Sequence, residues 1–224
     1  MRTLKVSLRD FQTYKIIFIN NYLWVGESPV SLWLDRATVV ILIYIMLGTE
    51  ILDQYGRGKR DFTAVDLSEA ELEGANITGI ILDEALLDGA NLNGANLSQA
   101  SLQNADLNGA NLTNANLTGA NLTGAILEGA ILEGAILDSA NLSHSELTVA
   151  KMIEADLSSA DLSEANLNAA NLDKANLSGV DAHQADLSSA NLTSADLHEA
   201  NLSGAKLEGA NLEGTILEEN KHID

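Results

Sequence analysis

The sequence predicts an all-β solenoid, a chain that turns once every five residues and stacks its apolar side chains inside a parallel coil. Three observations predict it. An apolar residue recurs every five positions from Phe62 to Leu217, thirty-two times without a slip, and twenty-eight of these centres are Leu. Ala stands two residues before the centre in twenty-six of the thirty-two units. Gly fills the last slot of many units, for example Gly74, Gly89 and Gly124. A self-similar period of this strictness is the mark of a repeat architecture.

The period itself excludes the simpler elements. Centres five apart drift around an α-helix instead of forming one stripe. In a flat strand an odd period sends successive Leu residues to opposite faces. Each unit therefore consists of a short extended piece and a corner. In Ala95-Asn96-Leu97-Ser98-Gln99, Ala95 and Leu97 face inward while Asn96 and Ser98 face out. The next inward pair is Ala100 and Leu102, a step of three from Leu97, so the chain turns once per unit. Gly in the last slot suits a corner with positive φ.

The units ANLSQ, ADLNG, ANLTN, ANLTG and ADLSS resemble the pentapeptide repeat family, A(D/N)LXX, over residues 60–219, about seven tenths of the chain. The resemblance implies a right-handed quadrilateral parallel β-helix with four pentapeptides per coil. Thirty-two units then make about eight coils, and at about 4.8 Å between stacked strands the rod is roughly 38 Å long. Long arrays of this kind are common in cyanobacteria, which the resemblance suggests as a source.

Some inward slots depart from the rule. Ala182 replaces a central Leu, and Val180 replaces the Ala two residues earlier. The larger Val is expected to fill the space left by the smaller Ala, since an open cavity costs about 24 cal/mol per Å³. Val65 and Ile80 also exceed Ala and predict locally wider coils.

The solenoid needs a cover on its first coil, because a bare end exposes apolar ladders and unpaired strand edges. Residues 49–60 are expected to supply one. Thr49 N-caps a short helix with Glu50 in its first turn. Ile51, Leu52 and Tyr55 form the apolar side, and Gly56 ends the helix. Residues 57–60 then lead into the repeat domain, 61–219, and residues 220–224 form a tail.

Residues 1–48 differ in character. All nine aromatic residues lie at or before Phe62, and the single Pro is Pro29. Residues 1–60 carry a net charge of +3 and residues 61–219 a net charge of −23, within a chain total of −20. Residues 37–48 are apolar, but a spanning helix needs about twenty residues. A membrane tether near 37–48 is the alternative to a cytoplasmic protein. Met46 begins a segment that alone supplies cap and solenoid, so Met46 is a candidate true start. Mass spectrometry of the native N-terminus checks this, and a peptide containing Trp24 or Trp33 overturns it. With no Cys, disulfides are excluded.

Catalytic chemistry finds no foothold. His144, His183, His198 and His222 are scattered, with no third ligand aligned beside His183 and His198 for a metal site. Every Gly of the repeat domain belongs to the five-residue lattice, so no phosphate-binding loop stands out. No catalytic, cofactor-binding or metal-binding residue is expected, and the chain reads as a non-enzymatic structural or protein–protein interaction scaffold.

Two surface features point to partners. The solenoid carries about one net negative charge per 1.7 Å, close to the axial charge density of duplex DNA. The family resemblance implies a second reading, since quinolone-resistance members bind DNA gyrase and resemble DNA in shape and charge. Such a chain would bind a DNA-binding enzyme and no nucleic acid directly. Against mimicry, the acids are spread almost evenly over four faces, no loop interrupts the repeat, and the tail after Leu217 is short. A charged surface that keeps a rigid rod soluble is the preferred reading. The second feature is apolar. The outward slot before the centre is Ile at Ile126, Ile131 and Ile136, with Val149 and Ile153 in the next coil and Ile81 and Leu86 nearer the N-terminus. By the lattice these side chains form a belt across two or three faces; exposed contiguous apolar surface marks partner sites, and Ile126, Ile131, Ile136, Val149 and Ile153 are the candidate docking patch for an unidentified protein.

Overall fold

The computed structural model describes residues 16–19, 22–25, 28–30 and 48–217. The apolar run up to residue 47, the candidate start at Met46, His222 and the tail 220–224 lie outside the described residues. The chain divides into two compact units, Met1–Ile43 and Tyr44–Asp224.

The first unit contains an antiparallel sheet of three short strands in the order β1-β2-β3: β1 (Ile16–Ile19), β2 (Tyr22–Val25) and β3 (Ser28–Val30). Ile16 pairs with Val25, and Val25 with Ser28. Pro29 sits on β3, an edge strand, where a missing N–H leaves no central ladder bond unmade.

The second unit is a four-sided parallel β-helix. Among the described residues, twenty-eight isolated parallel bridges join outward residues to those twenty positions ahead, as in Asp61 with Ile81 and Asp66 with Leu86. They form four ladders, beginning at Asp61, Asp66, Glu71 and Asn76. Five residues per side and twenty per circuit follow directly from the sequence period. Leu67 N–H donates to the Leu86 carbonyl at 2.7 Å, and Leu86 N–H donates to the Val65 carbonyl at 2.9 Å. Centres and Ala slots are buried together: Leu67, Ala70, Leu72 and their successors through Leu202 form one continuous core.

Each corner is a β-turn. Ala70 N–H donates to the Leu67 carbonyl at 3.0 Å, and Glu69, at the third turn position, has φ 58°. Positive φ at that position alone is the type II signature. The glycine slot read in the sequence is thus a backbone requirement. Eighteen non-Gly residues meet it as well, and Val149 (φ 54°) is the one β-branched residue among those described.

The cap is present, with two corrections. Helix α1 occupies 48–56 among the described residues. Thr49 therefore lies inside the helix and does not cap it. Gly48 is already helical and buried; a Cβ there would run into the Glu71 carbonyl, so its absence lets the helix sit close on the first coil. Gly56 is the last helical residue, as expected, but it is not the left-handed residue that closes the helix. Lys59 N–H donates to the Gln54 carbonyl (3.1 Å) and Gly58 N–H to the Tyr55 carbonyl (2.9 Å), with Gly58 at φ 98°. That pair of bonds is a Schellman closure, which places the left-handed residue two positions beyond the expected one. Ile51 enters the core, and Leu52 and Tyr55 pack against it. Tyr55 Oη donates to the Thr78 carbonyl at 2.7 Å, and the Arg60 guanidinium lies 3.9 Å from the Tyr55 ring centroid. Among the described residues no helix is long and apolar enough to cross a membrane.

Irregular inward residues are accommodated. Ser145 replaces Ala and is buried, but its hydroxyl donates to the Leu142 carbonyl at 2.7 Å. Ile80, Val180 and Ala182 are all buried. Truncating Val180→Ala is expected to cost about 1–2 kcal/mol, and Ala182→Leu alone about 1–3 kcal/mol through overpacking. The double variant restores the consensus and should be much closer to the parent than the sum. Urea unfolding of the three chains measures this coupling, and strict additivity would show that the two side chains do not share one space.

Candidate interaction surface

The outward Asn and Asp residues have a job inside their own turns. Asn111 Oδ1 accepts from Thr113 N–H (3.1 Å) and Thr113 Oγ1 (2.7 Å). Asp66 does the same for Ser68, and Asn176 for Ser178. These are Asx-turns, in which a short polar side chain satisfies a backbone donor two residues on. Amide groups also bridge coils: Asn191 Nδ2 donates to Asn171 Oδ1 at 2.9 Å, and Asn201 Nδ2 to Asp181 Oδ1 at 2.9 Å.

Bonds of the same kind lower the pKa of several carboxylates. The Thr63 backbone N–H, then its hydroxyl, lowers the Asp61 carboxyl below its ordinary value, and the Ser68 backbone and hydroxyl act likewise on Asp66. At Asp181 burial pushes upward, but bonds from His183 and Asn201 outweigh it and the net shift is downward. Asp186 is lowered by Ser188 and by Lys206, whose Nζ lies 3.0 Å from Oδ2. Asp61 and Asp66 are exposed and Asp181 and Asp186 half-buried; turn donors act on all four, joined by the cross-coil groups Asn201 and Lys206 at the last two. A lowered folded pKa contributes stability present above the unfolded value and lost as pH falls through the folded one.

The histidines stay apart. His144 Nδ1 lies 3.5 Å from Glu164, His183 Nδ1 3.0 Å from Asp181, and His198 Nε2 3.7 Å from Glu199. Among the described residues no group of three or more His, Cys, Asp or Glu side chains could hold a metal ion.

The candidate belt runs over three sides. Ile126 belongs to the Asp66 ladder, Ile131 to the Glu71 ladder and Ile136 to the Asn76 ladder, so they sit on three different sides. Each has polar or charged neighbours above and below: Ile126 lies between Asp106 and Glu146, Ile131 between Asn111 and Lys151, Ile136 between Asn116 and Asp156. Ile126 (37%), Ile136 (42%) and Val149 (49%) are exposed, whereas Ile131 and Ile153 are half-buried. Leu86, outside the candidate patch, is 44% exposed on the same ladder as Ile126. The signal for Leu86 was its occupation of an Asx slot forty residues before Ile126.

A four-sided β-helix with Asx-capped corners defines a class of repeat protein. The pentapeptide repeat family model matches residues 80–119, 115–152, 150–188 and 183–218. This chain belongs to the pentapeptide repeat family. It is similar to HetL, a pentapeptide repeat protein involved in heterocyst differentiation regulation from the cyanobacterium Nostoc sp. strain PCC 7120. The identity is 34% over 79% of this chain and 97% of that one, with a TM-score of 0.45. Rfr23, a pentapeptide repeat protein from the cyanobacterium Cyanothece 51142, is 25% identical over 76% of this chain and 99% of that one (TM-score 0.29). QnrB1, a plasmid-mediated fluoroquinolone resistance protein, is 21% identical over 71% and 91% (TM-score 0.44). No curated protein matches the chain in sequence.

Val149 combines exposure with a backbone conformation costly for a β-branched residue. Val149→Gly is expected to raise stability by about 1 kcal/mol, after allowing for the greater entropy of unfolded Gly. Thermal or urea unfolding checks this, and a loss of stability would mean that the Val side chain is held by favourable surface packing.

Proposed function

We propose that this protein is a non-enzymatic interaction scaffold, a rigid acidic rod of about eight right-handed coils that holds a protein partner. The observation that supports this reading is the use of the polar surface by the fold itself. The Asx side chains that dominate the outside accept turn N–H groups and hydroxyls, as at Asn111 and Asp66. The groups left over for a partner are the residues that break the lattice, with Ile126, Ile131, Ile136, Val149 and Ile153 as the candidate docking patch. The similarity to HetL, a protein involved in regulation of differentiation, fits a chain that works through contacts. A cytoplasmic location goes with this reading; a tether through residues near 37–48 is the alternative, read by carbonate washing of membranes. Affinity capture from native cells tests the scaffold role. A protein partner retained in stoichiometric amount is expected, and Ile126→Asp should weaken it without changing circular dichroism. A folded bait that retains no protein above a bead control would refute it.

Net charge supports a second reading, DNA mimicry toward gyrase or another DNA-binding enzyme. Residues 61–219 carry −23. The acids are distributed over all four sides, which favours general solubility over one mimetic face. Titration of the protein into a gyrase supercoiling assay separates the two readings. Neither inhibition nor protection is expected, and a saturable effect on supercoiling would establish mimicry.

A further inference from the structure

Two of the exposed apolar side chains that break the repeat share one side of the helix, and a third stands at its corner. Leu86 and Ile126 occupy the Asp66 ladder, whose order is Asp66, Leu86, Asp106, Ile126, Glu146. Val149 lies at the corner of the same side, in the turn after Glu146 and Leu147, where its N–H donates to the Asn168 carbonyl at 3.0 Å. Each departs from the lattice at a cost. Leu86 and Ile126 stand where Asx residues accept a turn N–H, and Val149 takes a left-handed φ of 54°. Each also leaves an apolar group in water, at 44%, 37% and 49% exposure. Regular sequence would have removed all three, so their convergence is not a consequence of folding.

The ground between them is acidic. Asp66, Glu69, Asp88, Asp106, Glu128 and Glu146 belong to the units that build this stretch of the side, and no Lys or Arg does until Lys206. A second copy of this chain would bring like charge against like. A nucleic acid or an anionic lipid surface is repelled for the same reason. The complementary occupant is cationic with an apolar stripe. The spacing selects its conformation. Leu86 and Ile126 are two rungs apart, about 9.6 Å, and Val149 is one rung further along the axis, about 14.4 Å from Leu86 in axial rise and set sideways at the corner. An α-helix rises about 10.5 Å in seven residues and about 15 Å in ten, and these positions lie about 20° and about 80° round the axis from the first, within one apolar face about 100° wide. A strand rises about 6.7 Å in two residues and about 13 Å in four, and its three-residue step points to the wrong face.

We propose that the side carrying Leu86, Ile126 and Val149 is a docking surface for a basic amphipathic helix of a partner protein, with apolar residues at i, i+7 and i+10. This rests on the reading of the chain as a protein-binding rod and specifies its face and the partner's chemistry. Apolar contacts fix the register, and the surrounding carboxylates steer and orient the basic flanks.

The probe is a synthetic helical peptide of about 20 residues with Leu at those spacings and Lys on the remaining positions. Its controls are a scrambled peptide of the same composition and a polylysine of equal charge. Binding is followed by fluorescence anisotropy at physiological salt. Leu86→Asn with Ile126→Asn restores the repeat's own residue at both positions, and circular dichroism verifies the fold. Ile136→Asn makes the same change on another side. The amphipathic peptide should bind the parent chain, lose about tenfold or more in affinity with the double variant, and be unaffected by Ile136→Asn. Equal binding of the polylysine or scrambled peptide, an unchanged double variant, or an equal loss with Ile136→Asn overturns the proposal. A native partner captured equally by the parent and the double variant overturns this face assignment while leaving the scaffold reading standing.

Discussion

The bond from each central N–H to the carbonyl nineteen residues ahead, as from Leu67 to Leu86, governs what every other atom of the solenoid can do. It locks one coil onto the next at the same point on every side. Identical slots then stack above one another, Leu over Leu and Ala over Ala. Close Ala packing lets opposite walls approach, and the Leu ladders fill what remains. The corner follows from the same requirement. To bring the next side into register the chain must turn within two residues, which demands positive φ at one of them. A side chain that fits those conditions is accepted whatever its chemistry, and this is why Glu, Ser, Gln and His share a slot with Gly.

The outward residues are part of that mechanism. Asn and Asp satisfy a turn donor locally and, as amides, bridge coils twenty residues apart. Their abundance therefore reports on turn chemistry before it reports on partners. The lowered carboxyl pKa values of Asp61 and Asp66 have the same origin: turn donors prefer the ionised acceptor. Most of the polar surface is thus explained by folding, and a docking function falls to residues that do not serve it. Leu86, Ile126 and Val149 are of that kind, and each sacrifices local stability for apolar exposure, the pattern expected when a surface is kept for binding.

Period five carries the solenoid because each unit repeats the same inward and outward choices, so the ladders were legible from Leu and Ala alone. The cap was legible from Ile51, Leu52 and Tyr55. Its ends were not, because Gly56 and Gly58 are equally plausible glycines until the carbonyls of Gln54 and Tyr55 select Gly58. Thr49 looked like a cap because nothing in sequence shows that Gly48 approaches Glu71. The strands at 16–30 lacked a period long enough to read. In the interaction surface, four units per coil already spread Ile126, Ile131 and Ile136 over different sides, and the bridges place them on three. Leu86 and Ile126, forty residues apart, share one. The sharing is a consequence of twenty residues per circuit, and only the corner column brings Val149 to it.

A stack held by this offset is indifferent to which unit lies above which, provided the spacing is kept. Urea unfolding of two deletions tests that claim directly. Removing the whole unit Ala110–Asn114 rotates everything downstream by one side but preserves every ladder. Removing only Ala110–Thr113 deletes less chain and breaks the register. The five-residue deletion should unfold in a single transition with a midpoint near the parent's, and the four-residue deletion should unfold at clearly lower urea. Equal destabilisation by the two deletions would contradict the account.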